Sequence, residues 1–251
     1  MALLPINIHD FADIRLIASD VDGTLTQNGK FTAGFIATLQ RLQASGIKVL
    51  LVTGRSAGWV SALVNYLPIE AAIAENGGIY LHNDQQYFLS DITNPTQHRL
   101  RLEQAFHQIQ KNYPNLQPSM DNQFRITDWT FDIHGLADKE LDTIARQCND
   151  MDLGFTYSTV QCHIKLSNQD KSTGLKLVLA KFYQELELYQ VLTVGDSPND
   201  ESMFVADQFP LSVGVANIRH YQDKMVHLPK YVTQSSEFAG FSELIELILK
   251  K

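Results

Sequence analysis

Short apolar runs recur along the chain, separated by stretches in which apolar residues return every three or four positions. Ile14-Arg15-Leu16-Ile17-Ala18-Ser19, Ile47 to Val52, Ile69 to Ala74, Val191 to Val194 and Leu211 to Val215 are bounded by polar or glycine positions. Such runs read as strands buried on both faces. Between them Phe35, Ile36, Leu39 and Leu42 keep helical spacing up to Gly46, and Val60, Leu63 and Leu67 do the same. Leu175, Leu177, Val178 and Phe182 form a third such stretch, Ser202 to Ala206 a short one, and Phe241 to Leu249 an amphipathic end. Strand, helix, strand at this spacing is a βαβ unit and therefore predicts a parallel sheet. Ile79-Tyr80-Leu81 and Gln86-Tyr87-Phe88-Leu89, joined through Asn83-Asp84, predict a hairpin.

The pattern changes at Thr93-Asn94-Pro95 and reverts near Asn168. Within that span the spacing predicts a helix from Gln97 to Lys111, a strand from Phe124 to His134 and a helix from Asp138 to Asn149. A hairpin of Phe155 to Ser158 and Gln161 to Leu166 follows. Segregated helices and strands suit an α+β layer with helices on one face of an open sheet. The expected fold is α/β: a Rossmann-like parallel-sheet core from residues 1–91 and 169–251, with a smaller α+β cap domain, residues 92–168, inserted into it. Such a cap could roof a crevice and exclude water. Its polar residues Arg125, Asp128, Trp129, Asp132, His134, His163 and Lys165 are divided by strand alternation between two faces.

Composition narrows the partners. A net charge of -8 over 251 residues argues against nucleic acid and anionic membranes. No apolar run approaches the roughly 20 residues a bilayer requires, and Met1 to Asn7 lacks the pattern of a signal peptide. Two cysteines, Cys148 and Cys162, fit a reducing, cytoplasmic setting without a zinc site, although a disulfide between them stays open. Neither a Walker phosphate loop, a Gly-x-Gly-x-x-Gly turn nor a His-Glu-x-x-His stretch is present.

The candidate chemistry lies where strands end. Asp20 and Asp22 leave the first run and meet Gly23-Thr24. Two carboxylates in one crevice repel unless a divalent cation or a shared proton relieves them, though the same residues also suit a turn and a helix cap. Thr53-Gly54-Arg55-Ser56 ends the second run, where a hydroxyl and free helix-start amides make a phosphate site or simply a helix cap. Gly54-Arg55-Ser56-Ala57-Gly58 also fits a serine nucleophile elbow, with Ser56 as nucleophile and His220 or His227 downstream. In Glu75-Asn76-Gly77-Gly78, Asn76 suits a turn residue at positive φ better than a crevice residue. Lys171 heads a helix at the return from the insert, where a lysine favours a nearby anion. Gly195-Asp196-Ser197-Pro198-Asn199-Asp200 offers two acids suited to a hard, oxygen-liganded cation.

Taken together, Asp20-Val21-Asp22-Gly23-Thr24-Leu25-Thr26, Thr53, Lys171 and Gly195 to Asp200 resemble, in order, the four signatures of the haloacid dehalogenase superfamily of phosphatases. The cap position resembles the subgroup with a C2-type, IIB cap. The resemblance implies a magnesium-dependent phosphomonoester hydrolase acting on a small phosphorylated metabolite, such as a sugar phosphate or a phosphoglycolate- or phosphoglycerate-type compound. It implies Asp20 as nucleophile and Asp22 as general acid and base. Thr53, Gly54, Lys171 and Asn199 would bind the phosphate, and Asp20, Asp22, Asp196 and Asp200 would hold Mg²⁺. A phosphomutase, a serine hydrolase using Ser56 and a non-catalytic phosphate sensor are the alternatives, and a monomer or homodimer is expected.

Overall fold

In the computed structural model, which describes residues 3–6, 11–158 and 160–250, the apolar runs lie side by side. The strands are β1 (Leu4–Pro5), β2 (Leu16–Ser19), β3 (Lys48–Val52), β4 (Ala71–Ala74), β5 (Ile79–His82), β6 (Gln85–Phe88), β7 (Trp129–Asp132), β8 (Gly154–Tyr157), β9 (Gln161–Lys165), β10 (Val191–Gly195), β11 (Ser212–Gly214) and β12 (Tyr231–Val232). The helices are α1 (Ala33–Ala44), α2 (Ala57–Tyr66), α3 (Pro95–Gln110), α4 (Asp138–Asp150), α5 (Lys171–Phe182) and α6 (Glu237–Ile248). Residues 1, 2 and 7 of the stretch read for a leader lie outside the described residues.

The main sheet runs β1-β12-β11-β10-β2-β3-β4-β5-β6, parallel as far as β4 and antiparallel through the hairpin of β5 and β6. Alternation sends Ile17, Val49 and Leu51 to one face, where Phe35, Leu39, Val60, Phe241 and Leu244 cover them. Leu16, Ala18, Leu50 and Val52 go to the other, beneath Leu175 and Val178 of α5. Burying one such leucine or phenylalanine contributes roughly 1.5–3 kcal/mol. Because β3 lies on one side of β2 and β10 on the other, strand order reverses at β2. Their carboxyl ends therefore open a crevice at the switch point.

The second sheet, β7-β9-β8, is antiparallel, as expected for the cap. Trp129, Phe131, Cys162 and Ile164 pack beneath Leu102, Phe106, Leu141 and Ile144 of its two helices. Cys148 and Cys162 are free thiols, which answers the disulfide question. The alternate positions Gln161, His163 and Lys165 take the opposite face of the sheet.

Two elements differ from expectation. The run from Phe124 to His134 is a strand only over β7, preceded by a 3-10 helix at Met120–Phe124. The Glu75 carboxylate takes the backbone N–H of Ile126 and of Thr127, and a ladder cannot use donors already spent. The helix expected at Ser202 to Ala206 is instead a 3-10 helix at Pro198–Phe204, with Pro198 in its first turn. Among the described residues no helix is long and apolar enough to cross a membrane.

Candidate active site

Asp20 follows β2 directly and is locked to the neighbouring strand by its N–H, which donates to the carbonyl of Val194 at 2.9 Å. Asp196 follows β10 in the same way, so the two carboxylates emerge side by side. Gly23 then turns back at φ +80°, where a Cβ would lie 2.5 Å from Oδ2 of Asp196. Only glycine permits both that backbone and that approach. Thr24 donates to Oδ1 of Asp196 at 3.0 Å, and Asn217 donates to its Oδ2 at 2.8 Å and to the carbonyl of Gly23 at 3.0 Å.

Lys171, the first residue of α5, is fully buried and bridges Oδ1 of Asp20 and Oδ1 of Asp200, each at 2.6 Å. The other oxygen of Asp200 accepts from the backbone N–H of Asp196 at 2.9 Å and of Ser197 at 3.1 Å. Asp20, Asp196 and Asp200 thus form a buried cluster whose oxygens lie within 4.8 Å of one another. Burial pushes the Asp20 carboxyl up to about 7 even though Lys171 pulls the other way. Burial also pushes Asp196 well above the usual carboxylate range, with Asp20 and Asp200 adding to the effect. Burial would lower Lys171, but Asp20 and Asp200 outweigh it and raise the ammonium above its ordinary range. Three carboxylates against one ammonium leave an excess of negative charge, and all-oxygen donors suit a hard divalent cation.

Asp22 lies outside that cluster of carboxylates. Its two oxygens accept from Nε and Nη2 of Arg55, both at 2.7 Å, a bidentate pair. Arg55 was not among the expected site residues; its signal was the need of a second acid for a counter-charge, two positions after Thr53. Thr53 is buried, and its hydroxyl accepts the N–H of Arg55 at 3.1 Å. Asn199 donates to Oδ1 of Asn76 at 3.1 Å and accepts from the Ser197 hydroxyl at 2.7 Å. Asn76 is at positive φ, as read, but it also reaches the site: its buried amide nitrogen has no partner and lies beside Gly54. An orphaned buried donor at that position suits an incoming anion. Thr24 and Asn217 come from separate loops, and nothing in their spacing signals that both would bond Asp196.

Asp20, Asp22, Thr53, Gly54, Arg55 and Asn199 floor one crevice, and Ser158, Val160, Gln161 and His163 of the cap roof it. As it stands the crevice has about 10 Å³ of space, room for about one water. A cavity of about 340 Å³, which Lys171 also lines, shares Asn199 with it.

The serine-hydrolase alternative fails on geometry. Ser56 is fully buried and its hydroxyl caps α2, accepting from the N–H of Trp59 at 3.4 Å. His220 and His227 are exposed, and neither is hydrogen-bonded to it. A nucleophile needs an adjacent base.

A family model described as haloacid dehalogenase-like hydrolase matches residues 17–109. The "Phosphoglycolate phosphatase 1" of Saccharolobus solfataricus is 27% identical over 241 residues, covering 94% of this chain and 96% of that protein. Among solved structures, Thermoplasma acidophilum 0175 superimposes with a TM-score of 0.73 at 24% identity, covering 93% of this chain and 99% of the other. A sugar phosphatase described as subclass IIB of the same superfamily superimposes with a TM-score of 0.68 at 15% identity, covering 92% and 98%.

Proposed function

We propose that this chain is a phosphatase of the haloacid dehalogenase type, with a cap of the IIB kind, that hydrolyses a small phosphomonoester by way of a phosphorylated Asp20. The observation that carries this reading is the cluster of Asp20, Asp196 and Asp200 beside Lys171 at the strand-order switch, with Asp22 held by Arg55 in the same crevice as Asp20. The name of the Saccharolobus relative and the subclass of the structural neighbour support a sugar phosphate or a phosphoglycolate-type substrate.

In this reading Lys171 engages Oδ1 of Asp20, while Oδ2 carries no hydrogen bond among the described residues. A carboxylate oxygen attacks phosphorus, the ester bond breaks, and Asp22 delivers a proton to the departing alkoxide. Asp22 then takes a proton from water as that water attacks the phosphorylated Asp20, releasing inorganic phosphate and restoring the carboxylate. Arg55 fixes the position of Asp22 while the carboxylate is ionised, and the pair loosens when Asp22 carries a proton. The Thr53 hydroxyl, the Gly54 amide, Lys171 and Asn199 hold the phosphoryl oxygens, since positioning and electrostatics are most of what this transfer needs.

Asp20, Asp196 and Asp200, with Asp22 through its backbone as the resemblance implies, would hold Mg²⁺. When bound, it would offset the crowded negative charge and that of the phosphoryl group. The segment 92–168 acts as the substrate-selecting cap, and the free thiols fit a cytoplasmic setting.

Phosphate release from a panel of phosphosugars, phosphoglycolate and p-nitrophenyl phosphate, with Mg²⁺ and with EDTA, tests the reading. Release that EDTA abolishes and Mg²⁺ restores is the expected result; no release from any ester, or release indifferent to EDTA, would overturn it.

A further inference from the structure

The cap face over the crevice holds a histidine that the reaction described above leaves unused. His163 is buried, lines the crevice, and places its Cε1 3.1 Å from where a Cβ on Gly54 would be. Its Nδ1 is 2.8 Å from Oδ2 of Asp128. Nη1 of Arg125 holds both oxygens of that carboxylate at 2.9 and 3.0 Å, and also donates to the carbonyl of Gly54 at 2.9 Å. A carboxylate held by an arginine is an acceptor only, so the ring proton is on Nδ1 and Nε2 presents a lone pair. Burial pushes the His163 imidazolium below its ordinary value; Asp128 opposes this, while Arg125 and Lys165 reinforce it. Among the described residues the ring's hydrogen bond is made by Nδ1, and none is made by Nε2.

The other roof groups narrow what this lone pair can meet. Gln161 is committed at both ends, accepting from Arg125 at 2.9 Å and donating to Asp121 at 3.3 Å. Arg55, the only cation among the crevice-lining residues described, is doubly bonded to Asp22. Lys165 belongs to the adjoining cavity and bonds the carbonyl of Gln169. A second carboxylate entering the crevice would face a lone pair and no uncommitted cation, whereas a hydroxyl could donate to Nε2.

We propose that His163 is a specificity residue whose Nε2 accepts a hydrogen bond from a hydroxyl on the leaving part of the substrate, which makes phosphorylated polyols or sugars the preferred class over carboxylated phosphoesters. This rests on the phosphatase reading. Asp128 and Arg125 act through His163 as positioning residues.

The test compares kcat and KM for glycerol 3-phosphate, for propyl phosphate, which lacks its hydroxyls, and for phosphoglycolate. Wild type is expected to favour glycerol 3-phosphate over both, by up to about tenfold for a hydrogen bond of this kind. His163→Leu removes that preference, chiefly through KM for glycerol 3-phosphate, and leaves propyl phosphate within about threefold, the scale of a neutral contact. His163→Gln, whose amide oxygen can accept, restores part of it. Equal losses on all three esters, or a wild type that favours phosphoglycolate, would overturn the proposal while leaving the phosphatase reading intact. If wild type cleaves none of them, both fall. Should the variants misfold, ¹⁵N NMR of wild type reads the tautomer directly: protonated Nδ1 with a bare Nε2 is expected, and a protonated Nε2 at neutral pH would overturn the assignment.

Discussion

Two buried polar networks face each other across the crevice, and they differ in how fully the chain hydrogen-bonds their carboxylates, since burial raises Glu75 of the seam as it raises the floor carboxyls. On the floor, Asp20, Asp196 and Asp200 share one Lys171, and burial drives two of those carboxyls upward. In the cap seam, Arg125 meets Asp128, Asp121, Gln161 and the Gly54 carbonyl, while Glu75 collects the N–H groups of Ala57, Ile126 and Thr127 and the Thr127 hydroxyl. Burial alone would raise Asp128, but Arg125 and His163 reverse that and hold it below its ordinary value. A network that finds its partners within the chain fastens structure. One that leaves an oxygen of Asp20 without a hydrogen bond among the described residues is incomplete until something binds.

The largest way to sharpen this contrast is Asp20→Asn. Loss of the nucleophile should lower kcat by roughly four orders of magnitude or more. Because the change removes one of three crowded charges, the thermal midpoint of the metal-free protein should hold or rise. Near-normal turnover would show that Asp20 is not the nucleophile. Arg125→Leu should do the reverse to stability, since it strands Asp128 in the seam. Urea unfolding should report a loss of about 3–5 kcal/mol, and a loss below about 1 kcal/mol, the range of an exposed pair, would mean the seam is not the fastening described.

The smallest effect is on pH. In EDTA-treated protein the folded Asp20 titrates at about 7 against an ordinary 3.8, so the folded state binds that proton more readily. Stability should therefore rise as pH falls from about 8 towards 5, by roughly 2–4 °C in midpoint for each kcal/mol recovered. Asp128 has the opposite sign: its contribution is present above the ordinary 3.8 and is lost as pH falls through its lowered folded value. Calorimetry across pH 3–8 should show a rise and then a fall; a flat profile from 8 to 5 would remove the claim that the floor is charge-strained.

The core strands were legible because parallel strands buried on both faces are written as continuous apolar runs. The two-residue β1 and β12 are too short to leave such a pattern. Phe124 to Asp128 misled because its β-forming composition says nothing about Glu75, more than fifty positions away along the chain, taking two of its N–H groups. At the site, Asp20, Thr53, Lys171, Asp196 and Asp200 were legible as a linear order of motifs at strand ends. Asn217 and Thr24 are defined by what they hydrogen-bond rather than by spacing. Alternation had been expected to divide the cap's polar residues between two faces. In the structure Asp132 and His134 end up exposed, whereas Arg125, Asp128, His163 and Lys165 are all buried.

The order of strands also bears on synthesis. Ser19 pairs with Val194, and Thr24 reaches Asp196 across 172 positions of sequence. As the chain leaves the ribosome, β2 can pair with β3 early, but its other edge stays open until the whole cap has emerged and β10 follows. A half-paired strand with its aspartate unpaired invites association with other chains. A cap able to fold on its own cluster of Phe106, Phe131 and Ile144 would shorten that exposure by drawing β10 towards its place.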